Sequence, residues 1–281
     1  MLAPILVIAG LKGGVGRTAT AVNLSAMLAL AKRKTLLVDL DPKGDATAGL
    51  GLQRATGADL QALVDSQRLL EATRPVPRPE GLDVWPGGPA LETIEGLLWA
   101  RGPEGRDAVL LNALSEARTR YEVIIVDGPP ALGPLGRNAL AAADAILLPL
   151  SGGANATTAV EETVLAAQRV RPPELPPPIV AGVRIGIRRE ELLLGRAPEL
   201  PHSQDGSRLL LDTAIAYDAR SLAECQARGL PAFDLDPGSR LARSYVELCR
   251  EVMERLLKPL ARHPLRPSSD RLPATGEPAG P

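Results

Sequence analysis

The chain has 281 residues, of which 45% are apolar, and its formal net charge is −1. This size is sufficient for a large α/β domain with a sizeable core, while the neutral charge balance gives no global support for binding to nucleic acid or to membranes. Aromatic residues make up only 2% of the chain, which argues against recognition of single strands by base stacking.

Short apolar runs alternate with helical patterns along the chain. This alternation predicts an α/β fold, a mostly parallel twisted sheet with helices on both faces. The runs are rich in Val, Ile and Leu, which is typical of strands buried on both faces. The predicted strands are Ile5–Ala9, Thr35–Asp39, Leu82–Trp85, Glu122–Asp127, Ala145–Leu150, Ile179–Arg184 and Leu211–Ile215. The predicted helices are Thr18–Ala31, Leu91–Ala100, Ala108–Arg120, Ala156–Val170, Arg220–Arg228 and Ser239–Ala261.

Proline-rich stretches separate some of these elements. Arg74–Glu80 carries three prolines and is predicted to be a connector, and residues 172–178 form a stiff link into a strand. Residues 263–281 are rich in Pro, Ser and Gly, which predicts a disordered tail. We therefore expect one domain over residues 1–262, followed by the tail.

A glycine-rich segment follows the first predicted strand. Residues 10–18 read Gly-Leu-Lys-Gly-Gly-Val-Gly-Arg-Thr. Such a loop aims several backbone N–H groups at a polyphosphate, and the positive dipole end of the following helix adds to the attraction. Two positions differ from the generic phosphate-binding motif, because Lys12 lies early in the loop and Arg17 replaces the usual lysine before Thr18. The sequence therefore predicts a phosphate site with an unusual set of cations.

The second predicted strand ends in two acidic residues, Asp39 and Asp41, separated by Leu40. They lie at the carboxyl edge of the predicted sheet, where ligands of such sheets bind. Two carboxylates at this spacing suit a Mg²⁺ shell and the orientation of an attacking water, whereas a solvated turn is the simpler alternative. Proximity to a phosphate-binding loop favours the magnesium interpretation.

The fourth predicted strand carries a third signal. Four apolar residues, 123–126, precede Asp127 at the strand tip, and Gly-Pro-Pro follows. This is the Walker B arrangement, in which the aspartate holds Mg²⁺ through water and the Ser/Thr of the phosphate loop, here Thr18, is a direct ligand. The sequence therefore predicts a magnesium nucleotide site.

Several blocks together resemble one family. Three of them resemble the motifs of the ParA/MinD group of P-loop ATPases, with a deviant Walker A loop: residues 12–18, residues 39–42 (Asp-Leu-Asp-Pro) and residues 127–133 (Asp-Gly-Pro-Pro-Ala-Leu-Gly). Three later blocks resemble ParA in particular: residues 222–224 (Leu-Ala-Glu), 228–231 (Arg-Gly-Leu-Pro) and 245–248 (Tyr-Val-Glu-Leu). The resemblance covers about residues 3–256.

This resemblance implies an ATPase with ATP and Mg²⁺ as cofactors. It implies nucleotide binding by Lys12, Gly13, Gly14, Val15, Gly16, Arg17, Thr18 and Ala19. Lys12 would reach across a nucleotide-sandwich dimer to the partner's phosphates, where a cation stabilises the charge that develops in phosphoryl transfer. Asp41 would position or polarise the water, with Asp39 supporting it. Thr18, Asp127 and Asp41 would hold Mg²⁺.

The resemblance also implies a cycle on DNA. The ATP-bound homodimer would bind double-stranded DNA without sequence preference, and a ParB-like centromere-binding partner would stimulate hydrolysis and release. Such a cycle segregates or positions a plasmid, chromosome or other cargo in the cytoplasm, on the nucleoid and not on a membrane. Arg220 aligns with a basic position that contacts DNA in the family, and Arg184, Arg188 and Arg189 form a local basic cluster. A solvated helix end is the alternative for these residues.

Two other functions stay open. A MinD-like, membrane-associated division regulator would need a C-terminal amphipathic helix, and Leu248, Val252, Leu256 and Leu260 recur at four-residue spacing there. We favour a helix packed on the sheet for this stripe. A nucleotide-binding switch with impaired hydrolysis is the second alternative, because the planar fork of Arg17 is larger than the compact ammonium of a lysine.

Overall fold

The predicted strands all form, and they join one sheet. The computed structural model describes residues 2–10, 13–57, 69–102, 106–130, 132–151, 156–187, 190, 200 and 209–262. Its strands are β1 (Ile5–Ile8), β2 (Thr35–Asp39), β3 (Arg74–Pro75), β4 (Leu82–Trp85), β5 (Val123–Asp127), β6 (Ala145–Leu150), β7 (Ile179–Ile187) and β8 (Leu210–Ala216). Their order is β3-β4-β2-β5-β1-β6-β7-β8. Only the β3–β4 pair is antiparallel among the described strands, which confirms the predicted fold class.

The sheet separates two apolar cores. Along β1, Ile5 and Val7 point into one core, whereas Leu6 and Ile8 point into the other, and all four side chains are fully buried. Successive side chains of a strand point to opposite faces of its sheet, so a strand buried on both faces needs apolar residues at every position. This requirement explains the continuous aliphatic runs.

Helices cover both faces of the sheet. They are α1 (Arg17–Leu30), α2 (Asp45–Ala48), α3 (Leu91–Ala100), α4 (Val109–Ala113), α5 (Ala117–Arg120), α6 (Pro134–Ala142), α7 (Ala156–Val170), α8 (Ala219–Arg228), α9 (Ala232–Leu235) and α10 (Arg240–Val252). A 3-10 helix (Leu69–Ala72) precedes β3, and α10 continues through a π-helical turn (Met253–Leu257) into α11 (Lys258–Arg262). Helices α3 to α7 contribute to the core that contains Ile5, whereas α1 and α8 to α10 contribute to the core that contains Leu6.

Two expectations about elements are wrong. The predicted helix Ala108–Arg120 is two short helices, because the chain turns at residues 114–116, where the N–H of Ser115 donates to the carbonyl of Asn112 three residues back. The predicted connector Arg74–Glu80 contains β3, which pairs with β4 at the edge of the sheet. A proline is tolerated there, since an edge strand leaves one side without ladder hydrogen bonds.

The C-terminal apolar stripe packs on the sheet. Leu248 and Val252 are fully buried, Leu256 is nearly so, and Leu260 packs against the same core. Within the described ranges, no helix combines the length and the apolarity that crossing a bilayer requires. The predicted tail, residues 263–281, lies outside the described residues.

A buried charge cluster anchors the start of β1. The Asp144 carboxylate accepts hydrogen bonds from the backbone N–H of Ile5 (2.9 Å) and from the guanidinium of Arg118 (2.8 Å). Arg171 lies on the other oxygen of Asp144, at 3.6 Å. Two cations and one backbone donor thus surround a single buried anion.

The sheet register brings the predicted site together. Asp39 of β2 pairs with Asp127 of β5, and Ile8 of β1 pairs with Asp127 from the other side. The three strands therefore end at one level, so the loops that follow them meet above the carboxyl edge of the sheet.

Candidate functional site

The loop between β1 and α1 is shaped by glycines. Gly14 and Gly16 have φ angles of 74° and 87°, in the left-handed region that favours glycine. A Cβ at Gly16 would also lie 3.0 Å from the side chain of Ile185 on β7. Helix α1 begins directly after Gly16 and has no side-chain cap, so the N–H groups of its first turn remain available to an anion.

Arg17 is the first residue of α1, and its guanidinium contacts the backbone around the loop. Its Nε donates to the carbonyl of Gly128 (3.2 Å), and its Nη1 donates to the carbonyl of Gly10 (2.9 Å). Burial lowers the pKa of Arg17, whereas Asp127 and Asp41 raise it. Because a guanidinium stays protonated in proteins, Arg17 is a fixed cation beside the loop.

Asp127 is a buried carboxylate whose charge is poorly compensated. It is fully buried, and neither of its oxygens has a hydrogen-bond partner among the described residues. Burial and the neighbouring Asp39 raise the pKa of Asp127 well above its ordinary value, and Thr18 and Arg17 offset part of this effect. A carboxylate in this state is costly to keep ionised, so the position suits a cation that arrives with a ligand.

Asp39 is equally buried but is well satisfied. Its Oδ2 accepts hydrogen bonds from the N–H (2.8 Å) and the hydroxyl (2.7 Å) of Thr47, and its Oδ1 accepts one from the N–H of Asp41 (3.2 Å). Burial raises the pKa of Asp39 to about 6, against the hydrogen bonds from Thr47. Asp39 was expected to be catalytic, but the structure places it behind Asp41, away from the lining of the cavity described next.

A cavity of about 370 Å³ lies above the loop. The phosphate loop and α1 form its floor, the segment from Asp41 to Gly49 forms one wall, and α8 with Leu230 forms another. Its lining residues are Gly13, Gly14, Gly16, Arg17, Thr18, Ala19, Val22, Asn23, Asp41, Lys43, Asp45, Gly49, Pro130, Leu222, Cys225, Gln226 and Leu230. Most of the predicted nucleotide-binding residues, together with Asp41, therefore face one space.

The donor set of this site fits Mg²⁺. Thr18 and Asp41 line the cavity, and Thr18 lies beside the Asp127 carboxyl group, whose pKa it lowers. Mg²⁺ prefers a few hard oxygen ligands and keeps several of its waters. A hydroxyl, two carboxylates and room for water supply such a set, and a divalent cation would neutralise the charge that burial leaves on Asp127.

Other predicted site residues do not line the cavity or cannot be placed. Lys12, Arg188 and Arg189 lie outside the described residues. Val15 is buried within the loop and is absent from the cavity lining. The predicted cross-interface role of Lys12 therefore stays a prediction.

The two remaining predicted DNA contacts differ in exposure. Arg184 lies on β7 and is only 9% exposed, which leaves little of its side chain for a phosphate. Arg220, in the first turn of α8, is exposed and has no ion-pair partner among the described residues. Of this pair, Arg220 is the better placed to contact DNA.

Sequence reasoning missed the α8 wall of the cavity. Leu222, Cys225 and Gln226 lie on one face of α8, at the three- and four-residue spacing that brings helical side chains together. Nearby, the side-chain oxygen of Asn23 accepts a hydrogen bond from the N–H of Ala232 (2.7 Å), which ties α1 to the start of α9. The spacing on α8 was the available signal, but it does not say which surface the helix faces.

Comparisons with known sequences identify the family of this chain. A protein-family profile described as an AAA domain matches residues 3–173. The chain is 34% identical to the chromosome partitioning protein ParA of Myxococcus xanthus, over 89% of this chain and 88% of that protein. It is 31% identical to the sporulation initiation inhibitor protein Soj of Bacillus subtilis, over 88% of this chain and 97% of that protein.

One solved structure is similar in fold to this chain. Cobyrinic acid a,c-diamide synthase from Mycobacterium smegmatis, with bound ATP analog and magnesium, superposes with a TM-score of 0.69 at 25% identity. The match covers 90% of this chain and 95% of that one. A nucleotide and Mg²⁺ are thus bound by a protein with this arrangement of strands.

Proposed function

Since this chain belongs to the ParA family of P-loop ATPases, and so is an ATPase that uses ATP and Mg²⁺, we propose that it is an ATP-controlled DNA-binding protein that positions cargo. ATP binding closes a homodimer, the dimer binds double-stranded DNA without sequence preference, and hydrolysis releases it. The observation that carries this proposal is the shared cavity, since the phosphate loop, Asp41 and the helix that begins at Ala219 all border it.

Each residue of the site has a role in this cycle. The N–H groups from Gly13 to Ala19 hold the phosphates. Thr18, Asp127 and Asp41 would hold Mg²⁺, which would neutralise phosphate charge, and Asp41 would also orient the attacking water. Lys12 reaches the phosphates of the partner protomer, where its charge stabilises the transition state. Residues 1–262 form this ATPase domain.

Arg17 takes the position of the phosphate lysine. Its guanidinium donates to the carbonyls of Gly10 and Gly128, and the residue also lines the cavity, so its charge lies beside the proposed place of the phosphates. The same anchors favour a second candidate function, a nucleotide-binding switch with slow hydrolysis. A guanidinium that is hydrogen-bonded to two carbonyls can move less with the γ-phosphate during the reaction than the ammonium group of a flexible lysine side chain.

The DNA surface includes Arg220. It is exposed on α8, whose inner face lines the cavity through Leu222, Cys225 and Gln226. One helix therefore borders both the nucleotide and the outer surface, which is what nucleotide-controlled DNA binding requires. A few cations suffice for non-specific binding, and a dimer doubles their number.

The proposed cellular role is the one that the resemblance to the family implies. The protein segregates or positions a plasmid, chromosome or other cargo, and a ParB-like partner stimulates its hydrolysis. It works in the cytoplasm on the nucleoid. The MinD-like membrane alternative loses its main support, because the stripe from Leu248 to Leu260 packs on the sheet.

The test is binding to non-specific duplex DNA with Mg-ATP, with Mg-ADP and without nucleotide, at low and at moderate salt. We expect binding with ATP only. The variant Arg220→Ala should weaken it and reduce the slope of log K against log salt by roughly 2 per dimer, about one for each lost phosphate contact. Arg169→Ala is the matched control, an exposed arginine on the opposite face of the sheet, and should leave binding unchanged.

A second arm tests the role of Asp41. Asp41→Ala should hold the protein in the ATP-bound, DNA-bound form, since hydrolysis no longer releases it. Release as fast as in the wild type would contradict this assignment. Absence of DNA binding by the wild type in every nucleotide state would refute the proposed cycle.

A further inference from the structure

Thr47 lies at the centre of a buried hydrogen-bond chain that ends at Asp41. It is fully buried in the short helix α2, eight residues after Asp39. Its hydroxyl donates to Asp39 Oδ2 (2.7 Å) and accepts a hydrogen bond from the N–H of Gly87 (2.9 Å). A hydroxyl has one hydrogen to donate, and Asp39 receives it.

Asp39 connects Thr47 to Asp41 through hydrogen bonds. One oxygen of Asp39 binds Thr47 through two hydrogen bonds, and the other binds the N–H of Asp41. The backbone after Asp41 also forms a hydrogen-bonded turn. The N–H of Lys43 donates to the Asp41 carboxylate (3.0 Å), and the N–H of Gly44 donates to the backbone carbonyl of Asp41 (2.8 Å). The segment that carries Asp41 is thus fastened at both ends.

Gly87 holds Asp39 from the other side. It follows β4, and a Cβ at this position would lie 2.5 Å from Cγ of Asp39. The carboxylate therefore sits against the Gly87 backbone on one side and against Thr47 on the other. Neither Asp39 nor Thr47 lines the cavity, so both act on the reaction through Asp41.

We propose that Thr47 is a positioning residue for ATP hydrolysis, and that its hydroxyl, placed between Gly87 and Asp39, sets the orientation in which Asp41 holds the attacking water. This inference rests on the water-orienting role of Asp41 in the proposed function. A displacement of a reacting group by about 1 Å costs on the order of 100-fold in rate. Removal of one hydroxyl that fixes the segment therefore reduces turnover far more than it reduces nucleotide binding.

The test compares three variants by steady-state ATP hydrolysis and by binding of a fluorescent ATP analogue. Thr47→Val removes the hydroxyl and keeps the branched shape, and kcat should fall about 10- to 100-fold while KM for ATP stays within about threefold. Thr47→Ser keeps the hydroxyl and should restore most of kcat. Thr35→Val is the matched control, because Thr35 is a fully buried threonine at the other end of β2 whose hydroxyl donates a hydrogen bond to the backbone carbonyl of Arg33 instead of to a carboxylate. The kcat of this variant should not change.

The outcomes separate this inference from the proposed function. If Thr47→Val hydrolyses ATP like the wild type, or if Thr47→Ser is as slow as Thr47→Val, the hydroxyl does not position Asp41. Asp41→Ala is measured in parallel, and normal hydrolysis by that variant would refute the role of Asp41 itself. Should Thr47→Val fail to fold, Thr47→Ala carries the same comparison, since it removes the hydroxyl without placing a methyl group against the Asp39 carboxylate.

Discussion

Replacement of Arg17 by alanine is the most direct test of the site, because this side chain ties the phosphate loop to the loop after β5. The guanidinium donates to carbonyl oxygens that are 118 residues apart, those of Gly10 and Gly128. Its positive charge also interacts with the carboxylates of Asp127 and Asp41. In Arg17→Ala both carbonyls lose their donor, and the two carboxylates lose that charge.

The size of the effect follows from these contacts. A hydrogen bond from a charged donor contributes about 1.5–3 kcal/mol, so two of them amount to roughly 3–6 kcal/mol. Part of this is offset because the buried guanidinium no longer has to be desolvated. We therefore expect a loss of about 3 kcal/mol in the free energy of unfolding, which lowers the melting temperature by roughly 6–12 °C in a domain of this size.

The assay is urea and thermal unfolding of the nucleotide-free protein at neutral pH. Arg17→Lys is the matched variant, since it keeps the charge and one of the two contacts, and it should lose about 1.5 kcal/mol. If Arg17→Ala unfolds within about 0.5 kcal/mol of the wild type, the range of an ordinary surface substitution, then the guanidinium does not join the two loops and this reasoning is refuted.

The same pair of variants decides between the two candidate functions. If anchoring of the guanidinium slows turnover, Arg17→Lys should hydrolyse ATP about 10-fold faster than the wild type, which corresponds to 1.4 kcal/mol in the barrier. ATP affinity should stay similar, because the charge is kept. Equal turnover of the two proteins would show that arginine serves the phosphate as well as lysine does, and the slow-switch alternative would lose its basis.

Two further predictions concern buried carboxylates. Asp127→Asn should raise the melting temperature of the metal-free protein, because burial raises the pKa of Asp127 in the native state. At low pH the protonated carboxyl group stabilises the native state, and this stabilisation is lost as the pH rises through the native pKa. The uncharged amide of the asparagine does not lose it. In thermal unfolding, the increase in melting temperature over the wild type should grow from mildly acidic to mildly alkaline pH. The stabilisation of the variant by Mg-ATP should be smaller than that of the wild type. An increase in melting temperature that does not depend on pH would contradict this account. Asp144→Ala leaves Arg118 and Arg171 buried without their shared anion and should cost about 3–5 kcal/mol in urea unfolding. A loss below about 1 kcal/mol, as for a surface pair, would show that water reaches this cluster.

The sequence by itself determined seven of the eight described strands and the glycine-rich loop after β1. Strands buried on both faces need unbroken aliphatic runs, and a phosphate loop needs glycines between a strand and a helix, so both are visible in neighbouring residues. The helix from Leu91 to Ala100 and the one from Ala156 to Val170 form at their predicted bounds. The predicted helix Ala108–Arg120 is interrupted in the structure by the turn at Ser115. The helix propensities of its residues do not reveal this turn.

Only the tertiary structure decided what surrounds each functional side chain. Asp39 and Asp41 look alike in the sequence, yet one is enclosed by Thr47 and Gly87 while the other faces the cavity. The carbonyl of Gly128 reaches Arg17 because the register of β1 against β5 places their ends side by side. Such contacts join residues far apart in the chain, so they depend on strand order and register, which the local pattern of apolar and polar residues does not encode.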